Sequence, residues 1–235
     1  MKKKIFLLSI FALSSCAEMQ QVLNQLPQTQ TIGGLDIAGG LREALNNGIS
    51  KQVSKLTATD GFFRNEAVKI LLPEELRQID GALRKIGLSK LADDGLKAIN
   101  RTAEDAVKEA TPIFVDAIRS MSFSDARNIL MGNDNAATSY LQNATTTALY
   151  GKFNPVIKNS FAKVGADKIW KNIINSYNAI PFTKKVNPDL TDYVTNKALD
   201  GVFTMITVEE KNIRTNLASR TSTLLQQVFS IQDKK

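Results

Sequence analysis

Cys16 is the only thiol of the chain, and it stands directly behind Leu13-Ser14-Ser15. Lys2, Lys3 and Lys4 open the sequence, and an apolar run from Ile5 to Leu13 follows. Positive residues, a short apolar run, small residues and then a cysteine resemble the bacterial lipobox, in which cleavage precedes the Cys and its thiol receives a diacylglycerol. The apolar run is too short to cross a bilayer. The plainer alternative is an ordinary secretory peptide cut near Ser15, with Cys16 left as a free thiol. A single Cys forms no intramolecular disulfide in either case.

The rest of the chain offers carboxylates, hydroxyls and lysines, because it contains no histidine. That removes the usual general base near neutral pH, the Ser-His and Cys-His nucleophile pairs and the commonest metal ligand. With the thiol acylated, zinc and iron–sulfur sites lack ligands. There is no Walker loop and no dinucleotide fingerprint, so no cofactor is expected. Ser50-Lys51 and Ser89-Lys90 are sequence neighbours and lack the paired geometry of Ser-Lys catalysis. Asp93-Asp94 and Glu209-Glu210 are adjacent pairs whose side chains diverge on a helix. Glu104, Asp105, Lys108 and Glu109 read as a solvated face.

Three aspartates remain as candidate functional positions. Asp116 lies between Val115 and Ala117, and Asp200 between Leu199 and Gly201. A buried carboxylate needs a partner, which Arg119 or Arg127 would supply to Asp116. The plainer reading places both on a polar stripe, exposed or salt-bridged. Two such groups in one cleft would make an acid/base pair for glycan cleavage. Asp134 belongs to Gly132-Asn133-Asp134-Asn135, a polar turn before a helix that has the donors to hold an anion. It also resembles a fragment of a calcium loop. The calcium pattern needs a Glu at its twelfth position, where this chain has Ala144 or Thr145 depending on the start. Helix punctuation is therefore the better account, and no metal is expected.

These residues are placed by helices. Thr111-Pro112 predicts a break, with a new helix starting on Pro112 and carrying Ile113, Phe114, Ala117, Ile118 and Met121. Ser122 with Asp125 predicts a capping box. That helix runs over Ala126, Ile129 and Leu130 and stops at Gly132, and a further helix spans 135–150. Upstream, Leu41, Ala44, Leu45, Ile49, Val53 and Leu56 recur at helical spacing until Asp60-Gly61. Val68 to Leu72 is the one strand-like passage, read as an extended connection over the core. Pro73 opens a helix that ends at Gly87, and 88–110 is a long helical pattern. Downstream, Asn154-Pro155 starts a helix that Gly165 breaks. Ile169 to Tyr177 forms another, Pro181 to Pro188 is a basic loop, and helices follow over 189–214 and around Leu224 to Phe229. The tail Gln232 to Lys235 is expected to fray. The fold class is thus all-α, a compact bundle or orthogonal array of about eight to ten helices with no substantial sheet.

The expected organisation is a lipoprotein signal over 1–15, the lipidated Cys and a flexible tether over 16–34, and one helical domain over 35–235. Eighteen flexible residues reach about 25 Å, so the domain would stay beside a membrane. No segment approaches the length of a transmembrane helix. The net charge of +7 falls to +4 without the three signal lysines. Spread through the sequence, such a charge argues weakly for nucleic acid, and export argues against it, so no nucleic-acid partner is expected. It permits mild attraction to anionic headgroups. Ala17 rather than Asp follows Cys16, which points to the outer membrane under the enteric sorting rule.

The central segment Pro112-Ile113-Phe114, Met121, Asp125-Ala126, Ile129-Leu130-Met131-Gly132, Ala136-Ala137-Thr138 and Tyr140 resembles the signature of the bacterial domain-of-unknown-function family numbered 4197. Gly40 to Leu45, Leu72-Pro73 with Leu76, Asn100-Arg101 with Ala103-Glu104, Tyr193-Val194-Thr195, Lys197 to Phe203, Glu209-Glu210-Lys211 and Ile213-Arg214 extend the likeness over Leu41 to Phe229. The resemblance implies an exported helical domain, often behind a lipoprotein signal, and brings no catalytic residues. The family's turn is more acidic than Asn133-Asp134-Asn135, a departure that weighs further against a metal.

Three functions are compatible with these features. The first is a periplasm-facing, lipid-anchored domain that binds an envelope protein or component without catalysis. The second is a carrier or sensor of an apolar ligand held among Phe114, Phe161, Trp170, Tyr177 and Phe203, although such aromatics more often form core. The third is a carboxylate-based envelope hydrolase.

Overall fold

A computed structural model describes residues 31–32, 35–72, 87, 89–182 and 185–234. The signal, Cys16 and most of the tether lie outside the described residues, as does the helix expected to open at Pro73. Among the described residues there are eight α-helices: α1 (Ile37–Thr57), α2 (Ser89–Val107), α3 (Ala110–Ser120), α4 (Phe123–Met131), α5 (Ala136–Val164), α6 (Ala166–Asn178), α7 (Leu190–Thr215) and α8 (Thr223–Phe229). The all-α expectation holds. The one β feature among the described residues is a two-residue antiparallel pairing, β1 (Thr31–Ile32) with β2 (Leu35–Asp36), in which Thr31 faces Asp36 and Ile32 faces Leu35. The end of the expected tether is therefore folded onto the start of the domain. Asp36 then caps α1 by accepting from the Gly39 N–H at 2.8 Å.

The long helices α5 and α7 form the most extensive helix pair, and α1, α2 and α3 pack around them. Leu41 and Leu56 of α1, Phe114 and Ile118 of α3, Leu141 and Phe153 of α5, and Val194 and Val202 of α7 are all buried in one core. Four of the five aromatics expected around an apolar ligand, Phe114, Phe161, Trp170 and Phe203, are part of it. Phe114 meets Phe203 edge-on at 6.2 Å, and Phe161 is buried. Trp170 stacks on Tyr193 at 5.8 Å. The Tyr177 side chain lies outside the described residues.

Four boundaries differ from the sequence expectation. The break near Thr111-Pro112 lies earlier, between Val107 and Ala110, and Pro112 sits inside the first turn of α3. The first turn leaves its N–H groups without helical partners, so a proline there sacrifices nothing. Second, α5 is one 29-residue helix that runs through Pro155. Leu141, Leu149, Phe153, Ile157 and Phe161 recur along one stripe and are all buried, and this packing outweighs the local cost of the proline. Third, Gly132 ends α4 at the expected residue and differs only in geometry, its backbone being extended at φ −78° and not left-handed. Its lack of a side chain is still required, since a Cβ would come within 2.6 Å of that of Ala136. Fourth, the tail is held: Gln232–Lys234 forms a 3-10 turn, and its Asp233 pairs with Arg220 at 2.9 Å.

Other signals stand as read. Ser122 and Asp125 form the capping box, with Asp125 N–H donating to Ser122 Oγ at 3.1 Å and Ser122 N–H donating to Asp125 Oδ2 at 3.0 Å. Gly165 adopts φ +66° between α5 and α6, the left-handed cap that glycine accepts without strain. The passage up to Leu72 forms no strand. Instead the Asn100 side chain accepts from the Ile70 N–H at 2.8 Å and donates to the Ile70 carbonyl at 2.9 Å, which supplies the pairing a neighbouring strand would give.

Candidate functional site

The three aspartates chosen from sequence are all exposed and stand on separate elements. Asp116 lies on α3 and Asp134 in the turn between α4 and α5. Asp200 lies on α7, pairs with Lys197 one turn away at 3.3 Å and lines a shallow cleft of about 190 Å³ with Val68 and Lys69. Neither of the other two aspartates contributes to that cleft. The structure does not bring the three together: Asp116 and Asp200 face solvent from their helices and Asp134 from its turn.

The buried charges are elsewhere: Glu104 of α2, expected on a solvated face, is buried and accepts from the Phe62 N–H at 3.1 Å, and the others lie at the end of α7 and just beyond it. Glu209 and Glu210 diverge as expected. Glu209 turns to α1, accepting from Lys51 Nζ at 2.7 Å and Gln52 Nε2 at 2.6 Å. Glu210 turns to the start of α5, accepting from the Ala137 and Thr138 N–H groups and the Thr138 hydroxyl, each at 2.8 Å. Its remaining partner is Arg214, at 2.8 Å. Arg214 in turn donates to the Ile129 carbonyl at 2.8 Å and the Leu130 carbonyl at 3.2 Å, at the end of α4. One buried ion pair thus caps both helices that flank the Asn133-Asp134-Asn135 turn. The anion held at this helix start is the protein's own carboxylate, placed where the helix dipole favours it.

Two more arginines repeat the device. Arg220 donates to the carbonyls of Ile213 and Arg214 at the end of α7, at 3.0 and 2.9 Å, and lies over the Phe229 ring. Hydrogen bonding from Arg220 holds the Asp233 carboxyl below its ordinary range. Arg42 donates to the Met121 carbonyl at the end of α3, at 2.6 Å. Sequence reasoning missed this network although a signal was present. Val194, Ala198, Val202, Ile206, Glu210 and Arg214 follow one another at intervals of four, so the apolar stripe of α7 continues directly into two charges.

A cleft of about 310 Å³ lies where α5, α6 and the start of α7 meet, and is lined by Asn154, Lys158, Lys171, Pro188, Asp189, Leu190 and Thr191. Its surroundings are firmly held. The Tyr150 hydroxyl donates to Asp192 at 2.7 Å, and Asn154 donates to Tyr150 and Thr195, both at 3.3 Å. The hydrogen bond to Asp192 pushes the Tyr150 phenol up to about 12. Trp170 Nε1 donates to the Asn187 carbonyl at 3.1 Å, and the Asn178 side chain holds both backbone groups of Val186. Asp189 caps α7 through the Asp192 N–H. The two acids Asp189 and Asp192 are thus committed to internal partners, and the cleft presents lysine ammonium groups, amides and hydroxyls. That chemistry suits binding an anionic or amide-bearing group. Among the described residues no cluster of three or more potential acidic or thiol metal ligands occurs.

The model of a family described as "Protein of unknown function (DUF4197)" matches residues 31–230. No curated protein matches, and no solved structure matches.

Proposed function

The chain belongs to the DUF4197 family, and we propose that it is a lipid-anchored protein of the bacterial envelope whose helical domain faces the periplasm and binds an envelope partner without catalysis. The observation that carries this reading is Leu13-Ser14-Ser15-Cys16 behind Lys2 to Lys4 and a short apolar run. Acyl chains on Cys16 provide the anchor, since one chain binds a membrane only reversibly and two or more hold it. Ala17 after the Cys favours the outer membrane. The arrangement of the domain supports binding. Its candidate carboxylates are separate and exposed, its buried charges are engaged with internal partners, and the cleft beside Asn154 presents amines, amides and hydroxyls.

Labelling cells with a radioactive fatty acid tests the anchor. The wild-type chain takes up label and enters the detergent phase, whereas Cys16→Ser does neither. A Cys16→Ser chain that still partitions like wild type refutes the anchor. Crosslinked envelopes test the partner: a reproducible protein recovered with the wild-type chain is expected, and recovery of none argues against the binding role.

A further inference from the structure

We propose that the connection between α6 and α7, together with the lysine-bearing surfaces of α5 and α6, docks on an anionic phospholipid surface, with Phe182 entering the headgroup layer.

The charge of the chain is segregated. Residues 152–186 contain seven lysines against one aspartate, with no arginine or glutamate, for a net +6. The whole chain is +7, so removing this +6 and the three signal lysines leaves the remainder at −2. The apparent even spread of basic charge is thus incorrect: one 35-residue stretch supplies it. Lys152, Lys158, Lys163, Lys168, Lys171 and Lys185 are all exposed.

The tip of the connection is apolar. Phe182 is fully exposed at 106%, and Ile180 is 51% exposed. Phe182 also adopts φ +62°, which is strained for a bulky side chain. Strain of this kind persists where the surrounding structure enforces it. Here the base of the connection is fixed. Asn178 holds Val186, Trp170 holds the Asn187 carbonyl, and the Val186 side chain is buried. The fold therefore presents an aromatic ring to solvent between two held points, Asn178 before it and Val186 after it.

An aromatic tip beside exposed lysines matches a membrane interface, where rings sit at headgroup depth and ammonium groups meet lipid phosphates. Five of the six exposed lysines are distributed along α5 and α6 and Lys185 stands in the connection, and only Lys158 and Lys171 share the cleft beside Asn154. Dispersed positive charge fits a continuous anionic surface better than the discrete carboxylates of an acidic protein. The contact does not depend on the acyl anchor.

The test uses the chain from residue 16 onward carrying Cys16→Ser, so no acyl chain contributes. Co-sedimentation is measured with vesicles of phosphatidylglycerol and phosphatidylcholine, and with phosphatidylcholine alone. Binding to the anionic vesicles only, weakening as salt rises, is expected. Lys168→Gln with Lys171→Gln should weaken it about fivefold per lysine. Phe182→Gly should weaken it at least about tenfold while leaving the melting temperature unchanged or higher, because glycine accepts the positive φ. Phe182→Trp should show a blue shift of its emission, beyond any shown by the parent chain, on adding anionic vesicles. No binding to anionic vesicles, equal binding to neutral ones, an emission of Phe182→Trp that does not move, or full binding by Phe182→Gly would each overturn the proposal. So would capture of an acidic protein through these lysines without vesicle binding. Fatty-acid labelling of the Cys16-bearing chain reads the anchor separately.

Discussion

Glu210 and Arg214 show how much a single buried pair does here. Removing a carboxylate and a guanidinium from water costs several kcal/mol for each ion, and geometry must return it. Five hydrogen bonds converge on Glu210, two of them from Arg214, which also reaches two carbonyls at the end of α4. Either single change, Glu210→Met or Arg214→Met, leaves the other charge buried and alone. Each should cost about 3–5 kcal/mol, read as a shift of the urea midpoint, and the double variant should cost clearly less than the sum. Strictly additive losses would show that the two groups do not act as a unit. Asp116 and Asp200 were singled out because their chain neighbours are apolar, but neighbours in sequence are not neighbours on a helix. Arg119 and Ser120 follow Asp116 on its face, Asn196 and Thr204 flank Asp200 at four residues, and all four are exposed, which places both aspartates on polar stripes. The same spacing test identifies Glu210. Tyr150 adds a pH prediction. Its phenol is pushed up to about 12 by its hydrogen bond to Asp192. A raised value stabilises the fold where the group is protonated. The contribution is complete below the ordinary phenol value near 10 and is lost as pH rises through about 12. Melting curves of Tyr150→Phe should lie below wild type at neutral pH and converge with it in strong alkali. A gap that stays constant across that range would rule the hydrogen bond out as its source.

At the level of elements, the legible boundaries were those written into the backbone. Gly165 takes a left-handed conformation, and Ser122 and Asp125 cap each other across one turn. Ser122→Ala should therefore cost about 1 kcal/mol in thermal unfolding, and a loss near zero would mean that the box is dispensable. The unreadable boundary was Asn154-Pro155. A proline inside a helix removes one hydrogen bond and crowds the carbonyl four residues earlier, a cost of about 3 kcal/mol. The residue at that position is Gly151, and the buried stripe from Leu141 to Phe161 holds the helix together on both sides. Tertiary packing decides, and no local signal reports it. Pro155 is exposed, so replacing it should release the cost without disturbing the core. Pro155→Ala is expected to stabilise by about 1–3 kcal/mol. A destabilised variant would show that the proline serves the geometry of the adjoining cleft.

At the scale of the whole molecule, the charges divide into two populations with different roles. Three arginines and one glutamate are turned inward to helix ends: Arg42 to α3, Arg214 to α4, Arg220 to α7 and Glu210 to α5. Lysines collect on the outside of α5 and α6. This division follows from hydration, since a guanidinium forms several directed bonds at modest desolvation cost and an ammonium keeps its water. It also ties distant parts of the chain together, because Arg220 draws the final turn at Asp233 back over the end of α7. The consequence appears in acid. The Asp125 carboxyl is held below its ordinary value by Ser122, and that of Asp233 by Arg220. A lowered value stabilises the fold while the group is ionised. The contribution is full above the ordinary carboxylate value near 4 and is lost as pH falls through the lowered values. Stability should thus be level from neutral pH down to about 4 and then decline. Asp233→Asn removes one of the titrating groups, so it should start less stable at neutral pH and lose less below about 4. Unfolding by urea at a series of pH values measures both. If Asp233→Asn declines as steeply as wild type, then the closure of the C-terminal turn by Arg220 does not contribute to acid sensitivity, and the capping box at Ser122 and Asp125 is the next group to change.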